Sequence, residues 1–180
     1  EEILRLHDEI QATLGNLAQG EERIAALEKT FAEACSSAWE IAGKLSLERQ
    51  RAAKRLKREM EREVRSLGMN ETTFDVRFAV QENKADAPPY VNAGKKLTAR
   101  GMDQVEFYVS PNPGEPAKPL AKIASGGELS RLMLALKSLV LTPGAVSTLL
   151  FDEVDSGVGG GIAEIVGKKL KQVAAHHQVI

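Results

Sequence analysis

The chain has 180 residues and a mass of 19.5 kDa, a length that holds one domain, or one domain and part of another. Apolar residues make up 43% and charged residues 27%, which excludes a disordered polymer, and the 4% aromatic content is low for a chain built around one large core. Lys+Arg 24 against Asp+Glu 25 leaves a net charge of −1, so bulk electrostatics do not advertise a nucleic-acid binder. The single cysteine, Cys35, excludes an intrachain disulfide and fits a reducing compartment. No apolar run reaches the roughly 18 residues that a bilayer span needs, and no secretory signal opens the sequence. Glu1 and Ile180 both read as cut ends.

Residues 1–67 read as one helical region. Ile3, Ile10, Leu17, Ile24, Phe31, Ala38 and Leu45 recur at a strict interval of seven, with a weaker row through Leu6, Leu27, Ala34 and Ile41. Such a repeat keeps an apolar seam facing a partner under left-handed supercoiling, the signature of a coiled coil. Gly15 and Gly20 lower helix propensity and are candidates for a bend or a tip. After Leu45 the phase shifts to Leu56, Met60, Val64 and Leu67, a packing stripe of three- and four-residue spacing. A helix of this length would extend about 100 Å, so the segment reads as an arm. Its charge is uneven: residues 1–43 carry three Arg/Lys and nine Asp/Glu, residues 44–70 nine Arg/Lys and four Asp/Glu. The basic stretch, with Arg49, Arg51, Lys54, Arg55, Lys57, Arg58, Arg62 and Arg65, could meet DNA phosphates. A solvated coiled-coil face laced with Glu59, Glu61 and Glu63 is the plainer alternative.

From Glu71 the pattern changes. Thr73–Val80 alternates as a half-buried strand and Gln104–Val109 forms a second. Between them Asn83–Arg100, with Pro88-Pro89 and Gly94, reads as loop. Gly94-Lys95-Lys96 ends like a phosphate loop, but Pro89 stands where the first glycine belongs, and no G-x-x-x-x-G-K-[ST] occurs anywhere. Asn112–Pro116 is a further turn. His7, His176 and His177 lack metal-ligand spacing and read as structural or exposed.

Two segments carry chemistry. Residues 124–141 read Ala-Ser-Gly-Gly-Glu-Leu-Ser-Arg and then an apolar helix. Ser125 with Glu128 three positions on is a capping box, which leaves Gly126 and Gly127 unexplained, since glycines cost backbone entropy at a helix start. They open the first N–H groups to a close ligand, and these groups with the positive dipole end suit a phosphate. Cap and anion site are compatible and both stay open. Ser147–Gly157 is an apolar run ending Phe151-Asp152-Glu153-Val154-Asp155. It reads as a buried parallel strand whose carboxyl end delivers charge to the sheet edge where α/β folds bind ligands. Alternation along that strand would point Asp152 and Glu153 opposite ways. One could reach a Mg²⁺ shell and the other a water attacking a γ-phosphate; an ordinary acidic turn is the alternative. The glycines at 157, 159, 160 and 161 fail the dinucleotide pattern, because Ile162 occupies the third glycine position. Ile162–Ala175 is then a helix and Gln178–Ile180 begins a strand.

Glycine-led helix, strand ending Asp-Glu, and glycine turn follow each other within about forty residues. This order resembles the second half of an ABC-type ATPase head of the P-loop NTPase superfamily. Ser125-Gly126-Gly127-Glu128 stands as the C-motif, Asp152-Glu153 as Walker B and Asp155 as the D-loop. With the arm in front it resembles the SMC class. The strings Asn112-Pro113-Gly114-Glu115, Pro119-Leu120-Ala121-Lys122, Leu134-Ala135-Leu136-Lys137 and Phe151–Gly157 are similar to the RecN family of bacterial DNA repair proteins. Leu67-Gly68-Met69 and Gly101-Met102-Asp103 support the same match. The resemblance implies an α/β fold, with a coiled-coil arm over 1–68 and the C-terminal lobe of the head over 69–180.

By the same resemblance the whole protein would be a cytoplasmic, nucleoid-associated ATPase of DNA double-strand break repair. Two heads would enclose ATP, held by the phosphate loop of one and by Ser125, Gly126, Gly127 and Glu128 of the other. Asp152 would hold Mg²⁺ through water, Glu153 would be the catalytic base, and Asp155 would signal across the dimer; Arg131 carries no assigned role. Implied partners are a second copy, DNA and the chain's own N-terminal head lobe, with no membrane. Lacking a phosphate loop, the chain alone is expected to be inactive. Another SMC-type ATPase, and a non-catalytic coiled-coil module, are the alternatives.

Overall fold

The computed structural model describes residues 2–80, 91–92, 95–123, 126–140 and 148–180, and only the backbone of residues 8, 12, 91 and 92. The fold is α/β: a long helix, α1 (Glu2–Ser66), then a mixed region with α2 (Gly126–Val140) and α3 (Gly160–Ala174). Chain contacts divide it into two compact units, one of Glu1–Ser46 with Val80–Met102, the other of Leu47–Ala79 with Asp103–Ile180. This is a division by packing, and it falls inside α1 rather than at the 68/69 change of element type.

In the first unit α1 runs without a break through Gly15 and Gly20, where an added Cβ would touch nothing. The expected bend is therefore not there: at an exposed helix position glycine costs only about 1 kcal/mol, which neighbouring good formers offset. Of the row at intervals of seven, Ile3, Ile10, Leu17, Ile24, Phe31 and Leu45 are exposed and Ala38 is half-buried. The segment read as loop contains a small hairpin instead. Here β2 (Val91–Asn92) pairs antiparallel with β3 (Lys95–Lys96), while residues 81–90 and 93–94, including Gly94, lie outside the described residues. Beyond it Thr98 and Gly101 exchange backbone hydrogen bonds of 3.0 and 2.9 Å.

The second unit holds the core. The stripe Met60, Val64 and Leu67 is fully buried and packs with Phe74, Val109, Leu132, Leu134 and Ala135. The helix ends in a Schellman arrangement, in which Met69 N–H donates to Val64 O (3.1 Å) and Gly68 N–H to Arg65 O (3.1 Å). Gly68 sits at φ +82°, and an added Cβ would come 2.5 Å from Ile162 Cδ1. Both conformation and space demand glycine at this position.

β1 (Thr73–Val80) and β4 (Asp103–Ser110) fall where alternation predicted strands. With β5 (Lys118–Pro119) they form a sheet of order β1-β4-β5, β4 and β5 antiparallel with Tyr108 opposite Pro119. Phe74 and Phe107 meet at 5.5 Å between ring centres. Arg77 lies 3.9 Å over the Tyr108 ring, and the hydrogen bond to Glu106 raises the Tyr108 pKa above its ordinary value. Two ion pairs, Arg49 to Asp103 (3.3 Å) and Lys57 to Asp75 (3.1 Å), tie α1 to these strands. Lys169 pairs with Glu63 at 2.5 Å and ties α1 to α3.

β6 (Thr148–Leu149) and β7 (Gln178–Val179) are parallel and joined through α3, the crossover that parallel pairing requires. Pairing continues past the strand ends: Ile180 N–H donates to Leu149 O (2.9 Å) and Phe151 N–H to Ile180 O (2.8 Å). One expectation is corrected here. The run is not buried on both faces, since Leu149 is 7% exposed and Leu150 77%. Successive strand residues face opposite sides, and only the Leu149 side packs on the core. His176 is exposed and His177 buried. Among the described residues no helix is long and apolar enough to cross a membrane.

Candidate functional site: a glycine-led helix against an acidic turn

The site forms where α2 begins and β6 ends. Pairing stops at Phe151, so Asp152 and Glu153 lie beyond the strand, both exposed. Strand alternation therefore does not separate them, contrary to expectation. The chain instead reverses at Glu153, which takes φ +53°, the left-handed region that a non-glycine residue seldom enters. Ser156 N–H donates to Glu153 O (3.0 Å) and Val158 N–H to Asp155 O (3.4 Å), closing the turn, and Gly157 follows at φ +69°. Val154 alone of this stretch points into the core.

The two glycines of α2 lie against this turn. A Cβ on Gly126 would overlap the Glu153 carboxylate at Oε2. One on Gly127 would meet Glu153 O and Ser156 Cβ at 3.0 Å and Ser156 O at 3.1 Å. The glycines thus permit a close approach of helix and turn that side chains would block. A carboxylate at a helix N-terminus is favourably placed, because the first N–H groups and the macrodipole present positive charge there. Here the Glu153 carboxylate lies against Gly126, in the first turn of α2.

Arg131, to which the sequence gave no role, acquires one. It is 7% exposed, and its Nη1 donates to Ser156 O at 2.8 Å, fastening the turn to α2. Its Nε has no hydrogen-bond partner among the described residues. The partner carbonyl is 25 residues away in sequence, so no local pattern could expose this contact; a charged residue inside an otherwise apolar helix face was the only signal.

Gly126, Gly127, Glu153 and Ser156 come together, with Arg131 behind them. Asp152 and Asp155 stand exposed on the same turn, and Glu128 is half-buried in the first turn of α2. Ser125 lies outside the described residues. Among the described residues no three of His, Cys, Asp and Glu gather into a metal cage. One carboxylate, Asp152, fits a cation carried mainly by phosphates and water, which is how Mg²⁺ commonly binds.

No family model matches the chain. Over its full length it is 37% identical to the DNA repair protein RecN of Bacillus subtilis (strain 168), covering 32% of that protein. It is 36% identical over 99% of its length to the RecN of Treponema pallidum, covering 30%, and 39% identical over 99% to that of Mycobacterium tuberculosis (strain H37Rv), covering 32%. Among solved structures, an Smc head bound to the C-winged helix domain of ScpA overlaps 73% of this chain and 34% of its own, at 18% identity and a TM-score of 0.38. An Smc head with an extended coiled coil, bound to the C-terminal domain of ScpA and derived from Pyrococcus furiosus, overlaps 73% and 28%, at 20% identity and 0.39. The chain is RecN-like along essentially its whole length, and it spans about a third of the length of the curated relatives it matches.

Proposed function

We propose that the chain is the arm (1–68) and C-terminal lobe (69–180) of an ABC-type ATPase head, in an SMC-like protein of DNA double-strand break repair. The observation that carries this reading is the close packing of Gly126 and Gly127 on the turn that bears Asp152, Glu153 and Asp155. The RecN likeness over the whole chain supports the repair assignment. The chain's own N-terminal lobe would supply the phosphate loop that this sequence lacks, and the working unit would be two heads in the cytoplasm, at the nucleoid, acting on DNA.

ATP held by one head would present its γ-phosphate to the N–H groups of Ser125, Gly126 and Gly127 of the other, with Glu128 behind them in the same helical turn. The Glu153 carboxylate that lies against Gly126 must then give way, since two anions cannot share that end of the helix. Freed, Glu153 would accept the proton of a water whose oxygen attacks the γ-phosphorus while the bond to the ADP oxygen breaks. Bound Mg²⁺ would neutralise phosphate charge, and Asp152 would hold it through water. Arg131 would position the Ser156 carbonyl, and with it Asp155, for contact with the second head.

The test is nucleotide-dependent dimerisation of the complete head, followed by sedimentation with ATP and Mg²⁺ in the Glu153→Gln background. Ser125→Arg, which puts a large cation where the phosphate should sit, is expected to abolish the ATP-induced dimer. Equal dimerisation with and without this substitution would leave the coiled-coil module reading in its place.

A further inference from the structure

The sheet β1-β4-β5 has two edges of unequal character. On one side β5 is two residues long and ends in Pro119, which has no N–H to offer a further strand. On the other stands β1, eight residues without proline, glycine or lysine. Among the described residues β4 is its one strand neighbour, which leaves an outer row of N–H and C=O groups without a ladder. Open edges of this kind recruit strands, and proteins ordinarily blunt them by shortness, proline or lysine. By these measures β5 is blunted and β1 is not. A notch of about 280 Å³ is lined by Gln50, Ala53 and Lys54 of α1 and by Asp75, Val76 and Phe78. No residue of β4 lines it, which sets it beside the outer edge of β1.

The sequence of β1 is complementary to itself. Paired antiparallel with a second copy in the register centred on Val76, it sets Phe74 opposite Phe78, Asp75 opposite Arg77 and Val76 opposite its own copy. The aromatic pair and the charge pair each occur twice, as a two-fold interface requires. Aromatic pairs and opposite charges directly across strands are stabilising, whereas like charges destabilise. One sign of charge at both positions would therefore repel a second copy; one of each sign does not. The side chains of Asp75 and Arg77 are 44% and 52% exposed. Both can reach a neighbour while keeping their contacts within the chain, Lys57 at 3.1 Å from Asp75 and the Tyr108 ring under Arg77.

We infer that β1 is a self-association surface, through which two copies of the chain join edge to edge and extend the three-stranded sheet across a two-fold axis. Residues directly opposite on paired strands share a face of the sheet. Val76 of the second copy would therefore stand beside Val76, in the notch against Ala53. The ladder would run about 26 Å, a small interface, so association is weak and depends on concentration. It needs no nucleotide, and it is separate from the nucleotide-bridged contact of two heads proposed above.

The full-length protein without nucleotide would be followed by sedimentation from about 1 to 100 µM, the weak end for protein interfaces. Amide hydrogen exchange along 73–80 would be read over the same range. Wild type should gain mass and β1 protection together as concentration rises. Asp75→Arg alone sets cation against cation across the axis, and Arg77→Asp alone sets anion against anion. Each should raise the dissociation constant about tenfold or more, with circular dichroism and Tm verifying the fold. Mixing the two single variants places opposite charges at both contacts. Association should then return to within about threefold of wild type, a recovery that a merely misfolded variant would not show. The double variant Asp75→Arg/Arg77→Asp should recover likewise. Single variants that associate as wild type does, or a mixture that fails to recover, would overturn the inference. So would β1 protection that ignores concentration, which would assign the edge to a strand from elsewhere in the same protein.

Discussion

The two ends of α1 have the same secondary structure and opposite surroundings. Near its start Ile3, Leu6, Ile10, Leu17 and Ile24 recur in coiled-coil register and stand exposed; near its end Met60, Val64 and Leu67 are fully buried. Helix formation is continuous across both, so propensity does not distinguish them. What differs is whether the apolar stripe has something to pack on. A strict seven-residue row marks a seam awaiting another helix, whereas the mixed spacing after Leu45 marks a helix seated on a globular core. The period of the apolar pattern therefore tells where along α1 the exposed seam gives way to packing on the core, well before the helix itself ends.

Substitutions can break or sharpen this contrast. The largest effect on stability should come from Met60→Ala, which empties a fully buried site in the core cluster that also holds Phe74 and Leu132. A loss of about 2–5 kcal/mol is expected in chemical denaturation, and a loss under 0.5 kcal/mol would mean the stripe is not packed as described. Gly68→Ala comes next, because it places a Cβ at φ +82° against Ile162. It should cost about 1–3 kcal/mol, with Ile162→Ala in the same chain recovering the steric part only. Leu17→Ala should change unfolding free energy by less than about 0.5 kcal/mol in the isolated chain, yet weaken association through the arm. An effect as large as that of Met60→Ala would show that the first half of α1 is packed within the chain.

Much of this was legible beforehand, for reasons that can be named. Thr73–Val80 alternates and is a strand; the expected strand at 104–109 lies inside Asp103–Ser110; the glycine-led segment opens α2; and Ile162–Ala175 overlaps α3. These elements declare themselves because their pattern is local and long enough to repeat. The hairpin at Val91–Lys96 was missed because two-residue strands contain no alternation to read. Gly15 and Gly20 suggest a bend because their own low propensity says nothing of the good helix formers on either side, which carry α1 through both.

At the site, motif order brought Gly126, Gly127 and Glu153 into consideration together, and the folded chain sets them against one another. The left-handed backbone at Glu153 and the tie from Arg131 to Ser156 were not readable. Both depend on how helix and turn meet in space, and nothing within either segment records that meeting.

On the proposed function Glu153, now lying against α2, becomes a general base when nucleotide enters between two heads. ATP turnover by the complete head, formed by coexpressing this chain with its N-terminal lobe, tests that claim directly in wild type and Glu153→Gln. The substitution keeps size and hydrogen bonding but cannot take a proton, so turnover should fall by about 10²–10⁴-fold while ATP still drives dimerisation. Equal turnover in the two proteins would contradict the assignment.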